Sequence, residues 1–527
     1  MSQRCFTAPH YLALQYLAIR GVESYCRLST KVGCHLSLNL WSKVYSSFQT
    51  TIEAAPAELS RYDTKIERLQ LTVARLMPDR DALATYTDGC RSVYSPIRRL
   101  PSELLPEIFD MCAPAIQNYN DPNDPPEMDR LSKPHLLRLA QVCSLWHGIS
   151  MGTPQLWSTI MINTSEWDTP PAFPDLCFSI LQYTLRRSGS HPLTLVLAGS
   201  SYDDASEPVL RLLSQHAPRW RDVHFRYNFE QPNSLAAAMG NLDCLEKLHL
   251  PGHWAGPEIF QVSPRLTELV LEGRIAKIPL LPWAQLQKYR YIGDSHLSFS
   301  LLDKFPNIAT CSFKLKLSSI SPAATWPAVS LETRVLSFEF SANRTSVGQE
   351  SVGCIFESLT LPRLASFSLG GGWVHPIWPT EHFVSLARRS SFHAHLTALT
   401  IDAIVTEEQL LRTLAVLPGL EELTIRDIEH RPALITDSLL QALTDTQRTP
   451  PCPVPGLSYL DLTSSLAFTD DALRDFVGSR IVRDSEMLFR VILRALPGRQ
   501  RKLDRNVMDE VGEWILSGDV YFLNALV

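Results

Sequence analysis

A six-residue pattern, apolar-x-x-apolar-x-apolar, recurs from about residue 190 onward and constrains the chain more than any other feature. It reads Leu245/Leu248/Leu250, Leu266/Leu269/Leu271, Leu364/Phe367/Leu369, Leu396/Leu399/Ile401, Leu420/Leu423/Ile425 and Leu457/Leu460/Leu462. Weaker copies start at Trp220, Leu286, Ile308 and Val335. With 45% of residues apolar, the loose pattern alone arises at roughly one position in eleven. A stricter form carries proline two residues ahead of the first leucine, at Pro264, Pro362, Pro418 and Pro455. Composition predicts only about half of one such occurrence, so the repetition is real. Each hexad reads as a short strand with its apolar positions turned inward. The segments Glu407 to Leu417, Thr436 to Leu443 and Asp470 to Val477 between hexads read as helices. One strand and one helix cannot bury their own apolar faces, so the copies must stack into a curved solenoid.

Successive starts lie 20 to 37 residues apart, overlapping the roughly 20–29 of leucine-rich repeats. Leucine itself is in excess, with 77 copies in 527 residues. The 45% apolar and 20% charged composition excludes a largely disordered chain. A net charge of −6 recruits neither phosphate nor anionic lipid, so no nucleic-acid or membrane partner is expected. No run of eighteen apolar residues offers a transmembrane helix. The eleven cysteines are scattered, without a C-x-x-C pair, and read as buried free thiols of a reducing compartment, cytoplasmic or nuclear. The first fifty residues are rich in Ser and Thr and carry Arg4, Arg20, Arg27, Lys31 and Lys43 against Glu23. Such a segment is either a targeting presequence or an N-terminal extension, and the rest of the chain favours the extension.

A heptad seam begins near Leu59. Leu59, Tyr62, Ile66, Leu69, Val73 and Leu76 alternate by three and four, with charged residues between them. The seam spans under three heptads before Pro78. Two readings stay open: a helix packed on its own domain, or a dimer seam.

The segment 97–160 is the most informative. In Leu100-Pro101-Ser102-Glu103-Leu104-Leu105-Pro106-Glu107-Ile108-Phe109, Ser102 suits an N-cap and Glu103 the positive end of the helix dipole. Leu104, Leu105, Ile108, Phe109 and Cys112 share one apolar face, and Pro114 ends the helix. A second amphipathic helix is expected from Pro134 to Gly148, presenting Leu136, Leu139, Val142, Cys143 and Trp146. A third opens at a Thr153 cap with Pro154 in its first position and carries Leu156, Trp157 and Ile160.

Taken together, Leu100-Pro101, Glu103-Leu104-Leu105, Glu107-Ile108-Phe109 and Leu137-Arg138-Leu139-Ala140-Gln141-Val142-Cys143-Ser144-Leu145-Trp146 resemble the F-box. Thr153-Pro154-Gln155-Leu156-Trp157 and the preceding heptad helix resemble the arrangement common in fungal, basidiomycete-type F-box-like proteins. The resemblance covers about 100 residues. Residues 113–134, rich in Pro and Asp, depart from it as a long insert between the first two helices.

The resemblance implies an SCF-type cullin–RING ubiquitin ligase, whose adaptor subunit, and through it the cullin, is the expected partner. Positions matching the family's docking residues are Leu100, Pro101, Leu104, Leu105, Ile108, Phe109, Leu139, Val142 and Trp146. The repeats would bind a target protein of unknown identity. The outward strand positions, among them Glu246, Lys247, His249, Thr267, Glu268, Glu421, Glu422, Thr424, Ser458, Tyr459 and Asp461, form a surface that selects a partner by shape and charge. Each taken singly reads as a solvated strand position rather than a named target-binding residue. Two alternatives stand beside this: an interaction scaffold without the ligase, and an unrecognised enzyme.

Catalytic motifs are missing. There is no P-loop, dinucleotide fingerprint, H-E-x-x-H, G-x-S-x-G or EF-hand loop. Gly370-Gly371-Gly372 reads as a tight turn of the solenoid. His375 and His382, or His393 and His395, lack acidic or Cys partners at ligand spacing. The expectation is a non-catalytic chain with no cofactor and no metal.

The fold expected is α+β: a short helical F-box-like module preceded by a heptad helix and followed by an α/β leucine-rich-repeat solenoid, a curved horseshoe. Boundaries read as extension 1–55, helix 56–95, F-box-like module 96–162, solenoid 163–480 and C-terminal capping helices 481–527.

Overall fold

Each proline of the strict hexads occupies the second position of a hydrogen-bonded turn, in a computed structural model of the chain. The N–H groups of Leu266, Leu364, Leu420 and Leu457 donate back to the carbonyls of Ser263, Leu361, Leu417 and Val454. Proline's fixed φ suits that position, and the turn delivers the following leucine into the core. The structure describes residues 38–94, 96–112, 134–164, 167, 173–199, 206–226, 232–252, 254, 258–275, 278–293, 297–316, 326–341, 349–371, 375–444, 452–480, 489–496, 512–514 and 520–525. The N-terminal extension up to residue 37 and the insert 113–133 lie outside the described residues. The chain divides into two units, Met1–Pro101 and Ser102–Val527.

In the larger unit, fourteen strands among the described residues form one parallel sheet in strict chain order, from Thr159–Asn163 to Val520–Ala525. Adjacent rungs are locked by shared acceptors. The N–H groups of Glu421 and Glu422 both donate to Thr397 O, and those of Ser458 and Tyr459 both donate to Glu421 O. Inward residues align from rung to rung, Leu269 beside Tyr289, Cys311, Leu336, Phe367, Leu399, Leu423 and Leu460. They form one continuous buried core. A second, two-stranded parallel pair joins Val329–Ser330 to Leu359–Thr360.

The three helices expected between the later hexads are present as Glu407–Leu414, Asp437–Leu443 and Asp470–Ser479. Thr406, Thr436 and Thr469 cap them, each hydroxyl accepting from a backbone N–H of the first turn. The caps are also chained together. Glu407 accepts from the hydroxyls of Thr436 and Ser438, and Asp437 accepts from Thr469 N.

Several expectations are corrected. The weak copy at Val335 is out of register by two residues. Val335 is 37% exposed, while Thr333, Leu336 and Phe338 take the inward positions. A threonine fits there because its hydroxyl donates to Ala309 O at 2.9 Å. Two described stretches of the segment 481–527, expected as capping helices, are strands. Phe489–Ala495 and Val520–Ala525 continue the parallel sheet. The solenoid also begins before residue 163, since Thr159–Asn163 is its first strand. Gly370 and Gly371 do not make a turn but lie in the strand Ser366–Gly371, where a Cβ on Gly370 would stand 3.3 Å from that of Asp402. Gly372 lies outside the described residues. Three of the described cysteines, Cys90, Cys112 and Cys143, are exposed rather than buried.

In the smaller unit, one helix spans Leu38–Val93, 56 residues. It starts well inside the segment read as an extension and runs on through both Pro56 and Pro78. No helix among the described residues is long and apolar enough to cross a membrane.

Candidate functional site

The F-box-like segment builds a small helical module. Helix Leu105–Met111 turns Leu105 and Phe109 fully inward. Its N-cap is Leu104, without a side-chain cap, and the Ser102 hydroxyl bonds Glu103 instead of the helix. The expected helix from Pro134 to Gly148 is two helices, Pro134–Ala140 and Ser144–Gly152. Cys143 breaks the run by adopting an extended backbone at the second helix's N-cap, which leaves its thiol exposed rather than packed. Thr153 makes no side-chain cap, and Pro154–Trp157 is a single 3-10 turn.

Phe109 and Trp146 pack with ring centroids 4.9 Å apart and planes tilted by 57°, joining the first helix to the third. Leu136 and Ala140 are buried beside them. Trp157 then fastens the module to the solenoid. Its indole N–H donates to Ser150 O at 2.7 Å, and its ring meets Tyr183 edge-on at 5.9 Å. Arg187, on the same solenoid helix Phe173–Arg187, donates to Met151 O at 3.1 Å. Module and first repeat are therefore joined by a ring contact and a hydrogen bond, while the module's buried residues lie outside the continuous solenoid core.

The nine docking positions divide by burial. Leu105 and Phe109 are buried and offer no side-chain surface to a partner, because the module needs them as its own core. Ile108, Leu139 and Trp146 are half-buried, and Leu100, Pro101, Leu104 and Val142 are exposed. The exposed apolar surface of the module is wider than the motif predicts. Leu104 is 43%, Leu137 45%, Leu145 54% and Val142 60% exposed. Leu137 and Leu145 escape pattern reading because they sit on the outer sides of helices whose motif letters lie inward. Exposed leucines beside a filled core were the only signal available.

On the solenoid, the outward strand positions form rows across the sheet. Asp222 and His224 pair at 2.8 Å, and the His224 and His249 rings lie 5.3 Å apart on neighbouring strands. His249, expected on a solvated strand face, is buried, with Nε2 3.0 Å from Glu272. Burial pushes its imidazole below the ordinary value, against the opposing pull of Glu272. Lys247 and Lys288 both reach Glu268, at 3.5 and 3.9 Å. Next come small hydroxyls in one row, Ser312, Ser337, Ser368, Thr400 and Thr424, with Ser337 donating to Ser312 at 2.9 Å. The row ends at Asp461, which pairs with Arg494 and raises its pKa.

His375 and His382 do meet carboxylates, which their sequence spacing hid. His375 lies 2.9 Å from Asp402 and His382 3.3 Å from Glu357. Neither gains a third ligand, and no group of three or more metal-ligating side chains occurs among the described residues.

A family profile described as F-box-like matches residues 97–163. Among solved structures, the chain is similar to a TLR13–ssRNA13 complex, with TM-score 0.38 and 13% identity, covering 63% of this chain and 45% of that one. It thus spans less than half the length of that receptor chain. A complex of Rad7 and Elc1 in yeast follows, with TM-score 0.30 and 16% identity over 54% of this chain and 78% of that one. The leucine-rich repeat-containing protein LegL7 from Legionella pneumophila has TM-score 0.30 and 12% identity over 51% and 90%. No curated protein matches the chain. Residues 97–163 are an F-box-like domain, and the strands that follow it build a leucine-rich-repeat solenoid.

Proposed function

We propose that this chain is a non-catalytic substrate-recognition subunit of an SCF-type cullin–RING ubiquitin ligase. The F-box-like helices hold the adaptor, and the outward strand rows of the solenoid hold a target protein. The chain itself makes and breaks no bond. It raises the effective concentration of a target lysine near the ubiquitin-charged enzyme.

The observation that carries this reading is the exposed apolar surface on an already filled module. Leu104, Leu137, Val142 and Leu145 stand in solvent while Leu105, Phe109 and Leu136 complete the core beneath them. Exposed leucines concentrated on so small a module mark an interface. The Trp157 junction supports the same reading. A module fastened to the first solenoid helix through Trp157 and Arg187 holds a bound target at a set distance from the adaptor.

Co-purification with an SCF adaptor tests it. Wild type is expected to bind, and a Leu104→Ala, Val142→Ala double variant to lose binding while keeping the wild-type unfolding transition. Wild type that fails to bind would shift the function to a scaffold working without the ligase.

A further inference from the structure

We propose that the Leu38–Val93 helix forms a two-stranded antiparallel coiled coil with the same helix of a second copy of this chain. The inference is independent of adaptor docking.

Continuity of the helix extends the heptad seam beyond what the segment after Leu59 shows. Upstream, the same alternation of three and four runs without a break through Ala55, Ile52, Phe48, Tyr45, Trp41 and Leu38. Twelve consecutive seam positions from Leu38 to Leu76 are thus apolar, and after Arg80 the seam resumes at Leu83. That exceeds the three to four heptads at which a coiled coil becomes the expected outcome. Both prolines fall off the seam, one and two positions after it, so their rings stay out of the packed layers.

Ile52 is 70% exposed, Leu59 62%, Ile66 51% and Val73 54%. A helix this long draws its stability from packing rather than propensity, and a seam repeating every 3.5 residues fits another helix winding around it. A helix lying on a globular core shows a broader stripe. Between residues 58 and 70 the flanks of the seam are polar: Glu58, Asp63, Lys65 and Gln70.

Charge and size choose the orientation. In a parallel pair, Glu58 would face Asp63 of the second copy, two like charges. Antiparallel, with Leu59 layered on Tyr62 of the second copy, Glu58 faces Lys65 twice over. The same register sets large against small, Ile66 on Ala55. Glu58 already pairs with Arg61 of its own helix at 2.9 Å, but both are exposed and free to re-pair.

The test is sedimentation equilibrium of the full chain. A dimer of twice the 59.3 kDa chain mass is expected for wild type. Ile66→Asp is expected to give monomer with the solenoid's thermal transition unchanged. Glu58→Lys alone sets lysines against each other and weakens the dimer about tenfold, as does Lys65→Glu, and combining them restores it. A wild type that is monomeric at all concentrations overturns the proposal, and so does a dimer indifferent to Ile66→Asp. Tightening by Glu58→Lys overturns the antiparallel arrangement, because that change relieves the parallel one.

Discussion

The Phe109 and Trp146 rings meet at a tilt of 57° with centroids 4.9 Å apart, and this pair closes the core of the F-box-like module. Phe109 is fully buried, so removing its ring leaves a cavity that a three-helix module cannot fill. Phe109→Ala is expected to cost about 3–5 kcal/mol and to remove adaptor binding by melting the module. Val142→Ala, at an exposed position, is expected to change stability by less than about 0.5 kcal/mol. Urea titrations of the two variants separate support from contact. Equal stability losses would mean that burial does not distinguish the two roles.

Asp427 is a buried carboxylate that organises two consecutive rungs. One oxygen accepts from the backbone N–H groups of Leu434 and Ile435, at 2.8 and 2.9 Å. The other accepts from Ser465 N and Ser465 Oγ, both at 2.7 Å, and from Ser464 Oγ at 3.2 Å. Asp427→Ala strands these donors and is expected to cost about 3 kcal/mol or more. Asn is no remedy, because either orientation of its amide sets an NH2 group against backbone donors. An Asp427→Asn protein with the wild-type urea midpoint would contradict this account.

How much was legible follows from which physical signals are local. The four Pro-led hexads are self-contained, since turn and strand lie within eight residues of one another. The Thr333 rung was not legible, because a threonine fills an apolar slot only where a carbonyl from the preceding repeat, Ala309 O, waits for it. The first strand hid inside another motif. Trp157, Ile160 and Ile162 carry the hexad spacing, yet they read as the end of the third helix. The last strands hid likewise, with Val491 and Leu493 lying in a segment that reads as terminal helices. At the docking surface the motif located the helices but not the division of labour on them. Leu104 and Leu105 are adjacent, equally apolar letters, and only the packed helix shows that the second is core.

His249 links stability to pH. Its imidazole is held below the ordinary value by burial, with Glu272 opposing and His224 and Arg226 adding to the depression. In the unfolded chain it regains the ordinary value of 6.5, so below about pH 6.5 the unfolded state binds the proton that the folded state refuses. Stability is therefore expected to fall as pH drops through that value. His216, lowered by burial and by Arg219, acts in the same direction. Urea midpoints at pH 7.5 and 5.5 are expected to differ for wild type and to differ less for His249→Gln, with His216 retaining part of the slope. An unchanged slope in the variant would show that His249 is not the linked group.

Two glycines predict opposite outcomes from the same substitution. A Cβ on Gly252 would stand 2.8 Å from the backbone carbon of Arg274 and from Gly273 O, in the next repeat. Those are backbone atoms directly after the strand Glu268–Glu272, tied to the next rung by the Gly273 N–H on Ile292 O. They cannot yield without disturbing the ladder's end, so Gly252→Ala is expected to destabilise by about 1–3 kcal/mol. Gly148 sits in helix Ser144–Gly152 with nothing within 4 Å of its added Cβ. There the glycine marks no helix end, and the only effect of alanine is to restrict the unfolded chain. Gly148→Ala is expected to stabilise by about 0.5–1 kcal/mol. Thermal unfolding of both proteins reads the signs directly. A stabilised Gly252→Ala protein would mean that neighbouring repeats are spaced more loosely than the shared-acceptor ladder requires.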